Sequence, residues 1–352
     1  VSWGTMGKIA ASWVISPVLG GVIAAIFLYV IKSQIIYKED TLAAAKKIVP
    51  ILVALMAAAF ITYLTLKGLK KVWPVIVETL SFLPQTKKPS FSVALLFGAI
   101  GAVITYIIVK PRVVKKVIGM EESRESINLL FTIPLIFAAA LLSFAHGAND
   151  VANAVGPLAA VYDALSTTAV SAKVAIPLWV MVVGGVGISV GLALFGPRLI
   201  RTVGSEITEL DQMRAFSIMM AAAITVVIAS QLGLPVSSTH IAVGAIFGVG
   251  FLREWLDSKE MGEKQEKLQT EVEKHHALKE ELAALQTVEE YRKQEALIKV
   301  QKKKVKSLKR SLRENYVKRG MVKKIVAAWI ITVPAAAVLS AIIFYILKGM
   351  AV

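Results

Sequence analysis

The chain has 352 residues, 56% of them hydrophobic, a mean hydropathy of +0.67 and a net charge of +16. That excludes an ordinary soluble domain, whose apolar share sits nearer half. The absence of cysteine excludes disulfides and thiolate metal sites. The charge lies in loops between apolar blocks, which is the positive-inside pattern of a membrane protein, so no nucleic-acid partner is expected.

The apolar blocks run, in chain order, over residues 9–31, 48–66, 91–109, 128–145, 174–195, 215–234, 239–252 and 326–347. A helix needs about 20 apolar residues to cross a bilayer, and all but 239–252 are close to that length or longer. The fold expected is all-α: a polytopic membrane protein. The opening stretch, VSWGTMGKIAASWVISPVLGG, shows no basic n-region of a signal peptide.

Residues 8–32, KIAASWVISPVLGGVIAAIFLYVIK, align without a gap on 324–348, KIVAAWIITVPAAAVLSAIIFYILK. Lys8, Trp13, Tyr29 and Lys32 fall on Lys324, Trp329, Tyr345 and Lys348. This register reads as the last helix of each of two inverted repeats, a common plan in secondary transporters. The second copy is preceded by two polar segments, 144–160 and 231–242. A first copy of both is therefore expected upstream of Val1. The organisation expected is the end of a first repeat (1–32), connecting helices (33–127) and the core of a second repeat (128–256). A charged helical hairpin (257–324) and a last helix (325–352) follow.

The segment FAHGANDVANAVGPLAA, 144–160, places His146, Asn149, Asp150 and Asn153 after an apolar stretch. Asn149 and Asn153, four apart, share a helix face, with His146 near them and Asp150 one step round. An ionised carboxylate in hydrocarbon costs at least about 2.5 kcal/mol, so Asp150 must face a partner or a water-filled cavity. Gly147 and Gly156, with nearby alanines, would let backbones approach closely. Gly156-Pro157 is expected to interrupt the helix or begin a new one. The second segment, SQLGLPVSSTHIAVGAIFGVG at 230–250, breaks at Gly233 and Pro235. Ser237, Ser238 and Thr239 are N-cap residues for a helix over 239–252. A helix N-terminus inside the membrane offers free N–H groups to an anion, and the hydroxyl oxygens suit a hard cation such as Na⁺. His146 and His240 are proton carriers or neutral donors supporting the site, or packing residues. For the hydroxyls alone, back-bonding to helix carbonyls is the simpler reading, as helix–helix contact is for the asparagines; Asp150 tips the pair of segments towards function.

Residues 257–324 hold 19 Lys/Arg and 12 Asp/Glu, segregated into an acidic first half and a basic second half. Leu268, Val272, Leu278, Leu282 and Leu285 approach helical spacing, Thr287 with Glu290 makes a capping box, and Tyr291, Ile298, Val305 and Leu312 recur every seven residues. These predict an antiparallel hairpin, a solvated insertion, with a lipid-facing role open for KVQKKKVKSLKR. Its basic arm points to the cytoplasm, which puts 32–47 and 110–127 there too; the basic loop 67–90 would then lie outside, against the rule.

HGANDVANAVGPL and PVSSTHIAVGAIFGVG resemble the second-repeat signatures of the inorganic phosphate transporter (PiT) family, and AAWIITVPAAA and ASWVISPVLGG resemble its repeat-ending helices. The resemblance implies a secondary symporter with two inverted repeats in the cell (inner) membrane, importing phosphate on a Na⁺ or H⁺ gradient and using no cofactor. A homodimer is compatible with it. It implies phosphate binding by Asn149, Asp150, Asn153, Ser237, Ser238 and Thr239, and Na⁺ binding by Asp150, Asn149, Ser238 and Thr239. Sulfate is the near alternative; an acceptor facing the anion favours phosphate, because protonated phosphate donates a hydrogen bond and sulfate cannot. The alternative of another class is an intramembrane serine hydrolase using Ser237 or Ser238 with His240 and Asp150, although no Gly-x-Ser-x-Gly elbow is present.

Overall fold

A computed structural model describes residues 2–70, 72–80, 84–167, 174–206, 210–284, 288–312 and 319–350. Among these the regular elements are all helical. They are α1 (Trp3–Ile31), α2 (Thr41–Tyr63), α3 (Trp73–Thr79), α4 (Phe91–Val117), α5 (Arg124–Leu130), α6 (Thr132–Thr167), α7 (Leu178–Glu206), α8 (Gln212–Gln231), α9 (Ser238–Ala284), α10 (Val288–Leu312) and α11 (Arg319–Met350). π-helical turns, Lys32–Ile36 and Leu64–Gly68, extend α1 and α2. Seven spans among the described residues are long and apolar enough to cross a membrane. Helix starts follow a simple chemistry: Asp40, Ser90, Ser123 and Asp211 each accept a hydrogen bond from the N–H three residues on.

The chain divides into two compact units, one of residues 1–205 with 209–252, the other of 253–352 with 206–208. In the first unit α8 carries much of the core. Phe216 meets Phe27 of α1 and Phe131 edge-on, at 6.3 and 5.4 Å between ring centroids. Its buried hydroxyls, Ser217 and Thr225, bond back to the carbonyls of Met213 and Ala221 and need no other partner. At one end, Glu122 accepts from the Thr41 N–H (3.0 Å) and Arg124 pairs with Asp211 (3.1 Å). The connections that were expected on one side of the membrane, 32–47 and 110–127, therefore do meet at one end of this unit.

Helix α1 packs on α9 through bare backbone. A Cβ on Gly244 would stand 2.2 Å from the Pro17 carbonyl oxygen, and one on Gly248 2.0 Å from that of Gly21. With no hydrophobic drive between helices in lipid, this closeness is how they hold together.

Three expectations change. Helix α6 is not interrupted at Gly156-Pro157 but continues to Thr167. A proline removes one N–H, here the one an α-helix would aim at the Asn153 carbonyl, and membrane helices tolerate that where neighbours supply the lost bond. Nor do Gly147 and Gly156 mark close backbone approach, since a Cβ on either would meet open space. Gly147 lines an open groove of 460 Å³ instead. The tight contact of α6 with α7 lies at Gly184, against Val151 and Val155. The helix expected over 239–252 likewise starts one residue earlier and runs on to Ala284.

In the second unit α9 and α10 run antiparallel: Gln294 donates to the Leu278 carbonyl (3.4 Å) and Gln301 to that of Glu271 (2.9 Å). Leu268, Val272, Leu278 and Ile298 are half-buried and Val305 is buried, as the spacing predicts. Leu285 and Thr287, and the side chains of Leu282, Glu290, Tyr291, Leu312 and Trp329, lie outside the described residues. The apolar side chains of α11 are exposed over Ile330–Met350.

Hydrogen bonds from Gln301 and Lys304 hold the Glu271 carboxyl below the usual carboxylate range. That tie is complete above the ordinary glutamate value, about 4.3, and is lost as pH falls through the lowered one. Spin labels on cysteines introduced at Ala277 and Ala296, unique in this cysteine-free chain, should show a distance distribution that broadens on such acidification, and Glu271→Gln should remove the step. For the helix seam, Gly244→Ala should lower stability by about 1–3 kcal/mol in a detergent melting assay. Gly185→Ala, which would meet nothing within 4 Å, serves as control; equal melting of the two would contradict the packing.

Candidate functional site

The site is built where α8 stops. Gly233 takes the left-handed conformation (φ 68°), the Leu234 N–H reaches the Ala229 carbonyl (3.0 Å) and the Gly233 N–H that of Ser230 (3.3 Å). This is a Schellman ending, which glycine enters without a Cβ clash. Pro235 follows. Ser237 then caps α9, its Oγ accepting from the His240 N–H (3.3 Å) while its carbonyl takes the Ile241 N–H.

That cap leaves the Val236 carbonyl without the His240 N–H that a continuing helix would have given it. Helix α6 supplies the replacement. The Asn149 amide donates to the Val236 carbonyl oxygen at 2.8 Å and the Asn153 amide at 3.3 Å. The four-residue spacing brings both to one acceptor. Val236 was not singled out from sequence, because a main-chain acceptor has no side-chain signature. The available signal was its place just ahead of an N-cap, where a carbonyl has no helical donor.

Asp150 is satisfied from both sides. Its Oδ1 accepts from the Asn149 amide (2.9 Å) and its Oδ2 from the Ser238 hydroxyl (2.8 Å). Nδ1 of His146 lies 2.5 Å from the same hydroxyl, and its Nε2 lies 3.4 Å from Asp150 Oδ2. Asn149 and Ser238 are buried, at 7% and 2% exposure, while the side chains of His146 and Asp150 keep 33% and 27%. A polar cluster thus sits on the α6–α9 seam with one open flank.

Of the residues singled out from sequence, His146, Asn149, Asp150, Asn153 and Ser238 come together. Ser237 serves through its cap. Thr239 is exposed in the first turn of α9. His240 enters by its backbone N–H, and His146, not His240, is the imidazole on Ser238. The cluster presents carboxylate, carboxamide and hydroxyl oxygens, the ligands of a hard cation, beside the start of a helix, which favours anions.

Among the described residues, seven apolar spans and a polar cluster at a helix break describe a multi-pass membrane protein. The comparisons give its kind. The sequence model of the phosphate transporter family matches residues 1–340, and the chain belongs to that family. A Helicobacter pylori J99 protein provisionally named a phosphate permease is 48% identical over 98% of this chain and 66% of its own length. A Pyrococcus abyssi protein with the same provisional name is 36% identical over 72% of this chain and 58% of its own. A solved structure, of "the sodium-dependent phosphate transporter", superposes with a TM-score of 0.60 at 34% identity, over 72% of this chain and 59% of that one. The chain thus spans just under two thirds of the first relative and under three fifths of the others. Membership sets the chain among transporters and not among hydrolases.

Losing the Asn149 amide leaves the Val236 carbonyl with only the longer of its two bonds. Asn149→Ala should therefore lower melting stability by about 1–3 kcal/mol, and Asn153→Ala by less; the reverse order would contradict this assignment.

Proposed function

We propose that the chain forms part of a symporter that imports inorganic phosphate on a cation gradient, with Na⁺ as the coupling ion. The observation that carries the reading is the Asp150 carboxylate, bonded by Asn149 and Ser238 at the α8–α9 break, in a chain of the phosphate transporter family. The sodium-dependent neighbour supports the choice of ion.

In this reading Asp150, Asn149, Ser238 and Thr239 provide oxygens for Na⁺. Phosphate binds against Asn149, Asp150, Asn153, Ser237, Ser238 and Thr239, where the free N–H groups at the start of α9 favour an oxyanion. The cation offsets the repulsion between Asp150 and the anion, so each makes room for the other; coupling is this mutual dependence. Oxygen acceptors at the site favour protonated phosphate over sulfate. His146 holds Ser238 and Asp150 in place from the α6 side. The protein lies in the cell membrane with the 257–324 hairpin on the cytoplasmic face, alternating access by rocking of two inverted repeats about the site.

The test is radiolabelled phosphate uptake by the intact protein in proteoliposomes, under an imposed Na⁺ gradient or an H⁺ gradient alone, with sulfate as competitor. Uptake should follow Na⁺, resist sulfate and fall to background in Asp150→Asn. Uptake unchanged in that variant would refute the role of Asp150; uptake driven by H⁺ without Na⁺ would replace the coupling ion.

A further inference from the structure

We propose that Lys67 is a positioning residue for this site, acting through the end of α8; the proposal rests on the reading above. The ammonium of Lys67 donates to the Ser230 carbonyl at 3.0 Å. That carbonyl already accepts the Gly233 N–H of the Schellman ending. Lys67 therefore grips the turn from which the 232–237 break departs, and it sits at the negative end of the α8 dipole, where a cation is favoured.

The same face of α2 also touches α6, the helix that carries the other half of the site. Phe60, Tyr63 and Lys67 lie three and four residues apart, so they line one side of the helix. Phe60 and Tyr63 each meet Phe144 edge-on at 6.0 Å between centroids, and Tyr63 is buried. Phe144 stands two residues before His146 on α6. One strip of α2 thus touches α6 at Phe144, in the same turn as His146 but on another face, and α8 at the turn that leads into the break carrying Val236 and Ser238. The distance between Asp150 and Ser238 depends on how α6 and that break are held, and Lys67 supplies the polar end of the hold. Lys67 lies in the π-helical turn Leu64–Gly68; such turns recur at functional positions. The role also explains one basic residue of the 67–90 loop that runs against the positive-inside pattern: its charge is used by a helix end.

The test compares Lys67→Met and Lys67→Arg with the unaltered intact protein in nanodiscs and proteoliposomes. Hydrogen exchange at amides 232–240 reads the tether whatever the cargo. Exchange there should quicken in Lys67→Met and return in Lys67→Arg; identical exchange in all three proteins overturns the proposal. In uptake, Lys67→Met should raise the half-saturating phosphate or Na⁺ concentration by about tenfold, the size expected for a contact one layer behind a site, with maximal rate within about twofold and recovery in Lys67→Arg. A fall in maximal rate at unchanged half-saturation overturns the positioning role. Absence of phosphate uptake by the unaltered protein defeats the phosphate reading instead, and the exchange measurement still decides the tether.

Discussion

The break between α8 and α9 leaves main-chain groups without helical partners, and the surrounding structure supplies those partners one by one. The Val236 carbonyl takes two carboxamide N–H groups from α6. The Ser237 hydroxyl takes the His240 N–H, and Gly233 allows the turn that closes α8. Irregular backbone inside a membrane survives only under such conditions. Because two of these bonds come from Asn149 and Asn153, the helix that carries Asp150 is fixed to the helix that carries Ser238. The carboxylate is a consequence of that scaffold, placed where donors already converge.

Every strong ligand in the cluster is already bonded to another. Asn149 bonds Asp150, Ser238 bonds Asp150, and His146 bears on both. In the proposed symporter an arriving ion would therefore exchange bonds and not simply fill a gap. The exchange is nearly balanced only for cargo that can replace donors to a carboxylate and acceptors to an amide together. A cation alone leaves the amide donors unsatisfied, and an anion alone leaves the carboxylate facing like charge. For the proposed symport this is a physical basis for taking the two together.

Much of this was legible in the sequence because the bilayer makes strong demands. A carboxylate in an apolar block has few explanations, so Asp150 stood out, and the spacing of Asn149 and Asn153 gave their shared face. Glycine and proline at 233 and 235 announced the break. The Pro157 reading failed because proline in a membrane helix removes one bond without ending the helix, and no local letter tells the two outcomes apart. The roles of Gly147 and Gly156 failed for a related reason: small residues permit close approach but do not cause it, and the neighbour that would approach is set by the rest of the fold. Val236 was invisible because its contribution is a carbonyl that every residue has. The partner of His146 required knowing that residues 92 positions apart in the chain meet.

The seam between α1 and α9 carries its own implication for movement. Most helix contacts are cushioned by side chains that can change rotamer, so such helices slide by fractions of a turn. Gly21 and Gly248, like Pro17 and Gly244, press carbonyl on Cα, and backbone has no rotamers to spend. These two helices are riveted. In the proposed transport cycle, a rearrangement would treat α1 and the first turns of α9 as one piece and find its hinge at a softer contact.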